Sequence, residues 1–156
     1  MTTTLRCIAA IALLHAAAFA HAQVTVTDPW VRATVPQQKA TGAFMRLQAD
    51  KASKLLSVSS PLTSTVEVHE MSMQGDVMRM RQVPAVALPA GQVVELKPGG
   101  YHVMLMNLSR QVKEGETVPL TLVVEGADGK RATVEVKAPV RALNAGPQAG
   151  QGGHKH

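Results

Sequence analysis

Apolar and polar side chains alternate through most of residues 23–140, and turn-forming residues interrupt the alternation at short intervals. Alternation is the pattern of a strand with one buried face, whereas a helix repeats about every 3.6 residues. No stretch of useful length shows the helical repeat. The strand candidates are QVTVTDPWVRAT (interrupted by Pro29), GAFMRLQA, KLLSVSS, STVEVHEMSM, DVMRMRQV, VVELK, YHVMLMNL, VPLTLVVEG and RATVEVKAPV. Between them lie Gln74-Gly75-Asp76, Pro89-Ala90-Gly91, Pro98-Gly99-Gly100 and Ala127-Asp128-Gly129, all turn chemistry. Many short strands of this kind predict an all-β protein, an antiparallel β-sandwich with one core.

The two ends read differently. Arg6, the apolar run CIAAIALLHAAAFA and the small residues of Ala20-His21-Ala22 form a signal peptide with cleavage expected after Ala22. Residues 1–22 are therefore processing sequence, and export to the periplasm is expected. No later segment approaches the roughly 18 apolar residues that a membrane-spanning helix needs. Residues 23–143 form a single domain, and residues 144–156, NAGPQAGQGGHKH, have the composition of a flexible Gly/His tail. The only cysteine, Cys7, falls within the signal. A mature chain without thiols has no disulfide, no thiolate metal ligand and no nucleophilic cysteine. The formal charge of +5 is scattered without basic runs or interleaved aromatics, which argues against nucleic-acid binding.

Methionine and histidine carry the chemistry. Six of the eight methionines lie between Met71 and Met106, and the only histidines in the domain body, His69 and His102, fall in the same strands. A two-residue turn at Gly75-Asp76, with Gly at the first central position, sets the register of a hairpin over residues 66–83. That register pairs Met73 with Met78, Met71 with Met80 and His69 with Gln82. All six side chains then share one face, opposite Val66 and Val68. In YHVMLMNL, His102, Met104 and Met106 share a side, opposite Tyr101, Val103 and Leu105, and both sides are apolar enough to be core. His69, Met80, His102 and Met104 thus read as a two-His, two-Met metal site. Neutral imidazole and thioether donors, with neither thiolate nor carboxylate, suit Cu(I) better than zinc, calcium or magnesium.

Several residues also have plainer readings. Met45 is expected in the core. Met71, Met73, Met78 and Met106 read equally as packing or as soft donors around the site. Glu67 and Glu70 read as solvated strand residues, and Trp30 and Tyr101 as core or rim packing. His154 and His156 read equally as a Cu(II)-binding pair and as part of a solvated tail. No phosphate-binding loop or acid–base constellation accompanies the site, so an enzyme is not expected.

The sequence resembles the periplasmic copper chaperone PCu(A)C family, whose signature is His, ten residues, Met, twenty-one residues, His-x-Met. Here it runs through HEMSMQGDVMRM and PGGYHVMLMNL without gap or substitution. DPWVRAT and GAFMRLQA extend the resemblance, which covers residues 24–140. It implies a cupredoxin-like domain that binds Cu(I) through His69, Met80, His102 and Met104. It further implies delivery toward the dinuclear copper centre of cytochrome c oxidase, alongside a Sco-type thioredoxin-like protein. Some members bind Cu(II) with His- and Met-rich C-terminal extensions; the tail here has His154 and His156 but no Met. Copper buffering without a dedicated recipient and, more remotely, a copper enzyme are the alternatives.

Overall fold

The computed structural model describes residues 23–145; the expected signal peptide and the His154/His156 pair lie outside them. Among the described residues there is no helix, and ten strands follow in chain order. They are β1 (Val24–Arg32), β2 (Thr41–Ala49), β3 (Ser53–Ser59), β4 (Thr65–Gln74), β5 (Val77–Gln82), β6 (Val86–Leu88), β7 (Val93–Leu96), β8 (Tyr101–Met106), β9 (Thr117–Gly126) and β10 (Arg131–Arg141). Nine match the alternating segments of the sequence. The tenth, β6, is three residues long, too short for alternation to register as a pattern.

The strands hydrogen-bond in one continuous order, β5-β4-β8-β7-β2-β1-β10-β9-β3-β6, with β8 also pairing β2. Inward side chains from both halves of this sheet belong to one cluster: Leu47, Val68, Val103 and Leu105 from one half, Leu55, Leu120 and Leu122 from the other. The cupredoxin-like all-β architecture follows from the folding of this open sheet over a shared core. Burying each such Leu or Val contributes about 1.5–3 kcal/mol. Most pairings are antiparallel, but β1 and β10 join the halves in parallel through Val31↔Val140 and Arg32↔Arg141. Leu96 and Tyr101 make a second parallel contact between β7 and β8.

Pro29 does not end β1; it sits in a β-bulge. Thr27 pairs Arg46, whereas Trp30 pairs Phe44, so one extra residue is accommodated, with Asp28 at φ 49°. A bulge reverses the face of every side chain that follows it. Val24 and Val26 point inward before it, Val31 points inward after it, and Trp30 is turned to the outer face. There Trp30 stacks on Phe44, centroids 4.5 Å apart. Both rings are buried, yet neither belongs to the main core cluster. The packing expected of Trp30 is thus realised as a small aromatic cluster on the outside of the sheet.

Candidate metal centre

The hairpin of β4 and β5 has the register that its turn dictates. Met73 pairs Met78, Met71 pairs Met80 and His69 pairs Gln82. Gly75 has φ 62°, and Asp76 is not in the left-handed region, as a Gly-first hairpin turn requires. On the other side, β4 pairs with β8 and sets His69 directly opposite His102. Their rings lie edge to face at 5.9 Å. This also decides which side of β8 is core: Val103 and Leu105 are inside, while His102, Met104 and Met106 share the outer face.

Although outward-facing, both imidazoles are buried, His69 to 8% exposure and His102 to 6%. Each ring has one nitrogen occupied and one directed to other use. His102 Nδ1 lies 3.0 Å from the Gly100 carbonyl oxygen. A carbonyl only accepts, so Nδ1 carries the proton and Nε2 presents its lone pair. That Nε2 lies 3.2 Å from Met80 Sδ. Gly100 is itself fixed, because its carbonyl also accepts from the Met71 amide and its amide donates to the Lys97 carbonyl. The Pro98-Gly99-Gly100 turn, with Gly99 at φ 83°, therefore sets the tautomer of a candidate ligand.

His69 is held by a residue that the sequence pattern presents as solvated. Its Nε2 lies 2.7 Å from the Glu67 carboxylate, two residues along the same strand face. A carboxylate orienting a ligating imidazole is a recurring outer-shell arrangement at metal sites. With Nε2 donating to Glu67, Nδ1 keeps the lone pair, and it is buried without a hydrogen-bond partner. Leaving such an atom unsatisfied costs about 1–3 kcal/mol. A metal bond is the natural compensation, and this orphaned nitrogen is the most direct sign that the donor set fits a soft cation. The i, i+2 spacing of Glu67 and His69 is the signal that could have found this contact.

Met104 follows His102 on the same face and pairs with Glu67 on β4 and Gly42 on β2. With Met71, His102, Gly42, Phe44 and Arg32 it lines an open cleft of about 300 Å³. Gly42 is required here: a Cβ would meet the Phe44 ring at 2.7 Å. The ring therefore lies across the glycine, forming a wall beside His102 and Met104. The Arg32 guanidinium sits 5.2 Å from the Phe44 centroid, and that of Arg141 sits 5.3 Å from Trp30. Arg141 is in turn paired with Asp28. DPWVRAT thus backs the wall of the cleft: its bulge turns Trp30 onto Phe44, and its Arg32 lines the cleft over the Phe44 ring.

All four sequence-derived candidates lie on this outer face. His69, His102 and Met80 are joined by direct contacts, and Met104 borders the cleft with His102. Met80 is 51% exposed, so the site opens to solvent on the hairpin side. On the opposite face of the hairpin, Arg81 binds the Glu70 carboxylate at 2.8 Å. That hydrogen bond holds the Glu70 carboxyl below the usual glutamate range. Burial, followed by the neighbouring Glu70 charge, raises the Tyr101 hydroxyl above the usual tyrosine value. Glu70 is therefore a cross-strand tie between β5, β4 and β8 rather than a free surface charge. Met45, by contrast, is in the core as its sequence position suggests.

Comparison with known proteins gives a consistent result. The family model described as LpqE-like matches residues 24–140. The chain is 27% identical over 123 residues to protein RP573 of Rickettsia prowazekii (strain Madrid E), covering 75% of this chain and 68% of that protein. Among solved structures it resembles the copper-bound PCuAC domain from PmoF2, with TM-score 0.62 and 27% identity over 76% of this chain and 92% of that one. It also resembles the solution structure of CuI-DR1885 from Deinococcus radiodurans, with TM-score 0.57 and 33% identity over 84% of this chain and 87% of that one.

Proposed function

The chain belongs to the LpqE-like family, the family of PCuAC domains, and from that premise we propose that it is an exported Cu(I) chaperone. His69 Nδ1, His102 Nε2, Met80 Sδ and Met104 Sδ are the four donors. The observation that carries the reading is the pair of imidazoles with opposite, fixed tautomers. Glu67 holds one and the Gly100 carbonyl the other, and the free nitrogens are an orphaned buried atom and one already against a thioether.

The chemistry suits carriage. All four donors coordinate as neutral groups, so none is left as a bare charge when the ion departs. Three donors sit on β4 and β8, each paired on both sides, while Met80 is on the edge strand β5 and exposed. An incoming thiolate or imidazole from a recipient replaces Met80 first. The thioether leaves as a neutral group, and the recipient's donor occupies the vacated position. Repetition at Met104, and then displacement of the two imidazoles by the recipient's donors, completes the transfer without free copper in solution. In the periplasm, the recipient is the dinuclear copper centre of cytochrome c oxidase, with a Sco-type protein acting alongside. Thioethers suit that compartment, because they do not form disulfides as thiols do.

X-ray absorption on the Cu(I)-loaded protein tests the ligand set: about two nitrogen and two sulfur neighbours are expected at the high-affinity site. An all-oxygen or all-nitrogen shell would overturn it. Transfer to an apo copper-centre domain of the oxidase separates delivery from simple buffering. A protein that binds Cu(I) but never releases it to that domain is a buffer.

A further inference from the structure

Beside Met106 on β8, three more thioethers, all on the hairpin, share the outer face with the four proposed ligands. Met73 pairs Met78 across the hairpin, the next pair on this face beyond Met71–Met80. Packing does not account for them: Met73 is 61% exposed and Met78 50%. Nor does the sheet cover them. The pairing of β4 with β8 ends at Glu70↔Tyr101, and β5 is the outermost strand, exposed along its whole length. Beyond Met71 the hairpin is a bare two-stranded arm. Strands of this kind are ordinarily guarded by charged or polar side chains. Here Ser72, Gln74 and Arg79 take the opposite face, and the face continuous with the site carries only methionine.

We propose that Met71, Met73 and Met78 form a second Cu(I) site, thioether-only and weaker than the first, at the tip of this arm. The inference rests on the copper reading of the neighbouring donors. Cross-strand partners have Cβ atoms about 4.5–5.5 Å apart. Residues two apart on a strand lie about 6.6 Å apart along it. Three flexible thioether side chains can converge over those distances on one soft ion. Without an imidazole, and open to water, the tip site holds copper less tightly than the His-containing site. Met71 borders the cleft with His102 and Met104, so it lies between the two. Copper captured at the tip is therefore passed down the arm from thioether to thioether rather than through solvent.

The test is a Cu(I) titration of the full chain against a competing Cu(I) chelator, with X-ray absorption at one and two equivalents. The parent should bind a second equivalent that the chelator removes first, and the sulfur contribution should rise between the two loadings. Met73→Leu/Met78→Leu keeps the exposed apolar bulk but removes two donors. It should lose the second equivalent and retain the first. Met106→Leu, opposite Thr65 and away from the arm, should retain both. His102→Ala should lose the tight site while the weak, sulfur-only one persists. A parent with only one equivalent, or a double variant that still binds two, overturns the tip site. Absence of the tight, mixed nitrogen–sulfur equivalent would instead overturn the reading of His69, Met80, His102 and Met104.

Discussion

His102 Nε2 and Met80 Sδ lie 3.2 Å apart although twenty-one residues separate them in the chain. The contact joins the outermost strand, β5, to β8 across β4. It exists because the Gly75 turn sets the hairpin register and because the Gly100 carbonyl accepts a hydrogen bond from His102 Nδ1–H, leaving Nε2 toward the thioether. The candidate donors converge without a cavity being closed around them, the geometry that the proposed handover requires.

Removing a donor should be felt strongly. His102→Ala and Met104→Ala are each expected to lower Cu(I) affinity by more than the ~10–100-fold typical of altering an outer-shell partner. Their circular dichroism should stay that of the parent, since both side chains point away from the main core. Competition with a Cu(I) chelator measures the loss. Parent-like affinity in both variants would remove them from the ligand set.

Glu67 acts through His69. Glu67→Ala should weaken Cu(I) binding by about 10–100-fold, and Glu67→Gln should recover most of it, because the amide oxygen still accepts from Nε2–H. Equal affinities across the three proteins would show that the 2.7 Å contact does not position the imidazole.

Deleting residues 144–156 should leave Cu(I) binding unchanged, since His69, Met80, His102 and Met104 all lie within the sheet. Any Cu(II) binding by His154 and His156 should fall. Isothermal titration with each oxidation state makes the comparison. A large loss of Cu(I) affinity would place the tail in the primary site.

The hairpin arm should loosen in acid. Arg81 lowers the Glu70 carboxyl in the folded protein relative to the unfolded chain. The ionised pair therefore stabilises the fold above the ordinary glutamate range, and that contribution is lost as pH falls through the lowered folded value. Amide protection along β5, corrected for intrinsic exchange, should fall over that window, and Glu70→Gln should remove that fall. Identical pH profiles in the two proteins would refute the tie.

Oxidation should follow exposure. Mild peroxide treatment of the copper-free protein should convert Met73, Met78 and Met80 to sulfoxides well before Met45, which is 2% exposed. Copper-binding capacity should fall in parallel, because a sulfoxide is a poorer soft donor, and a methionine sulfoxide reductase should restore it. Peptide mass spectrometry reads the order. Met45 oxidised first would mean that the methionine face is covered in solution.

What the sequence determined by itself was local. Period-two alternation marked nine of ten strands, and the Gly75-Asp76 turn specified the pairing of Met71 with Met80 and Met73 with Met78, because hairpin register depends only on the turn and the residues beside it. The His/Met spacing singled out the four candidate donors for the same reason: each half of the motif lies on one strand or hairpin. Only tertiary structure decided which strands became neighbours. It placed β8 beside β4, setting His69 against His102, and chose the Val103–Leu105 side of β8 as core when both sides were apolar. It joined β1 to β10 in parallel and formed the three-residue β6 at the sheet's far edge. It turned Trp30 outward through a bulge at Asp28-Pro29, and it made Glu67 a partner of His69 rather than of water. Each of these outcomes depends on which surfaces are buried together, a property of the folded sheet that no single strand carries in its own pattern.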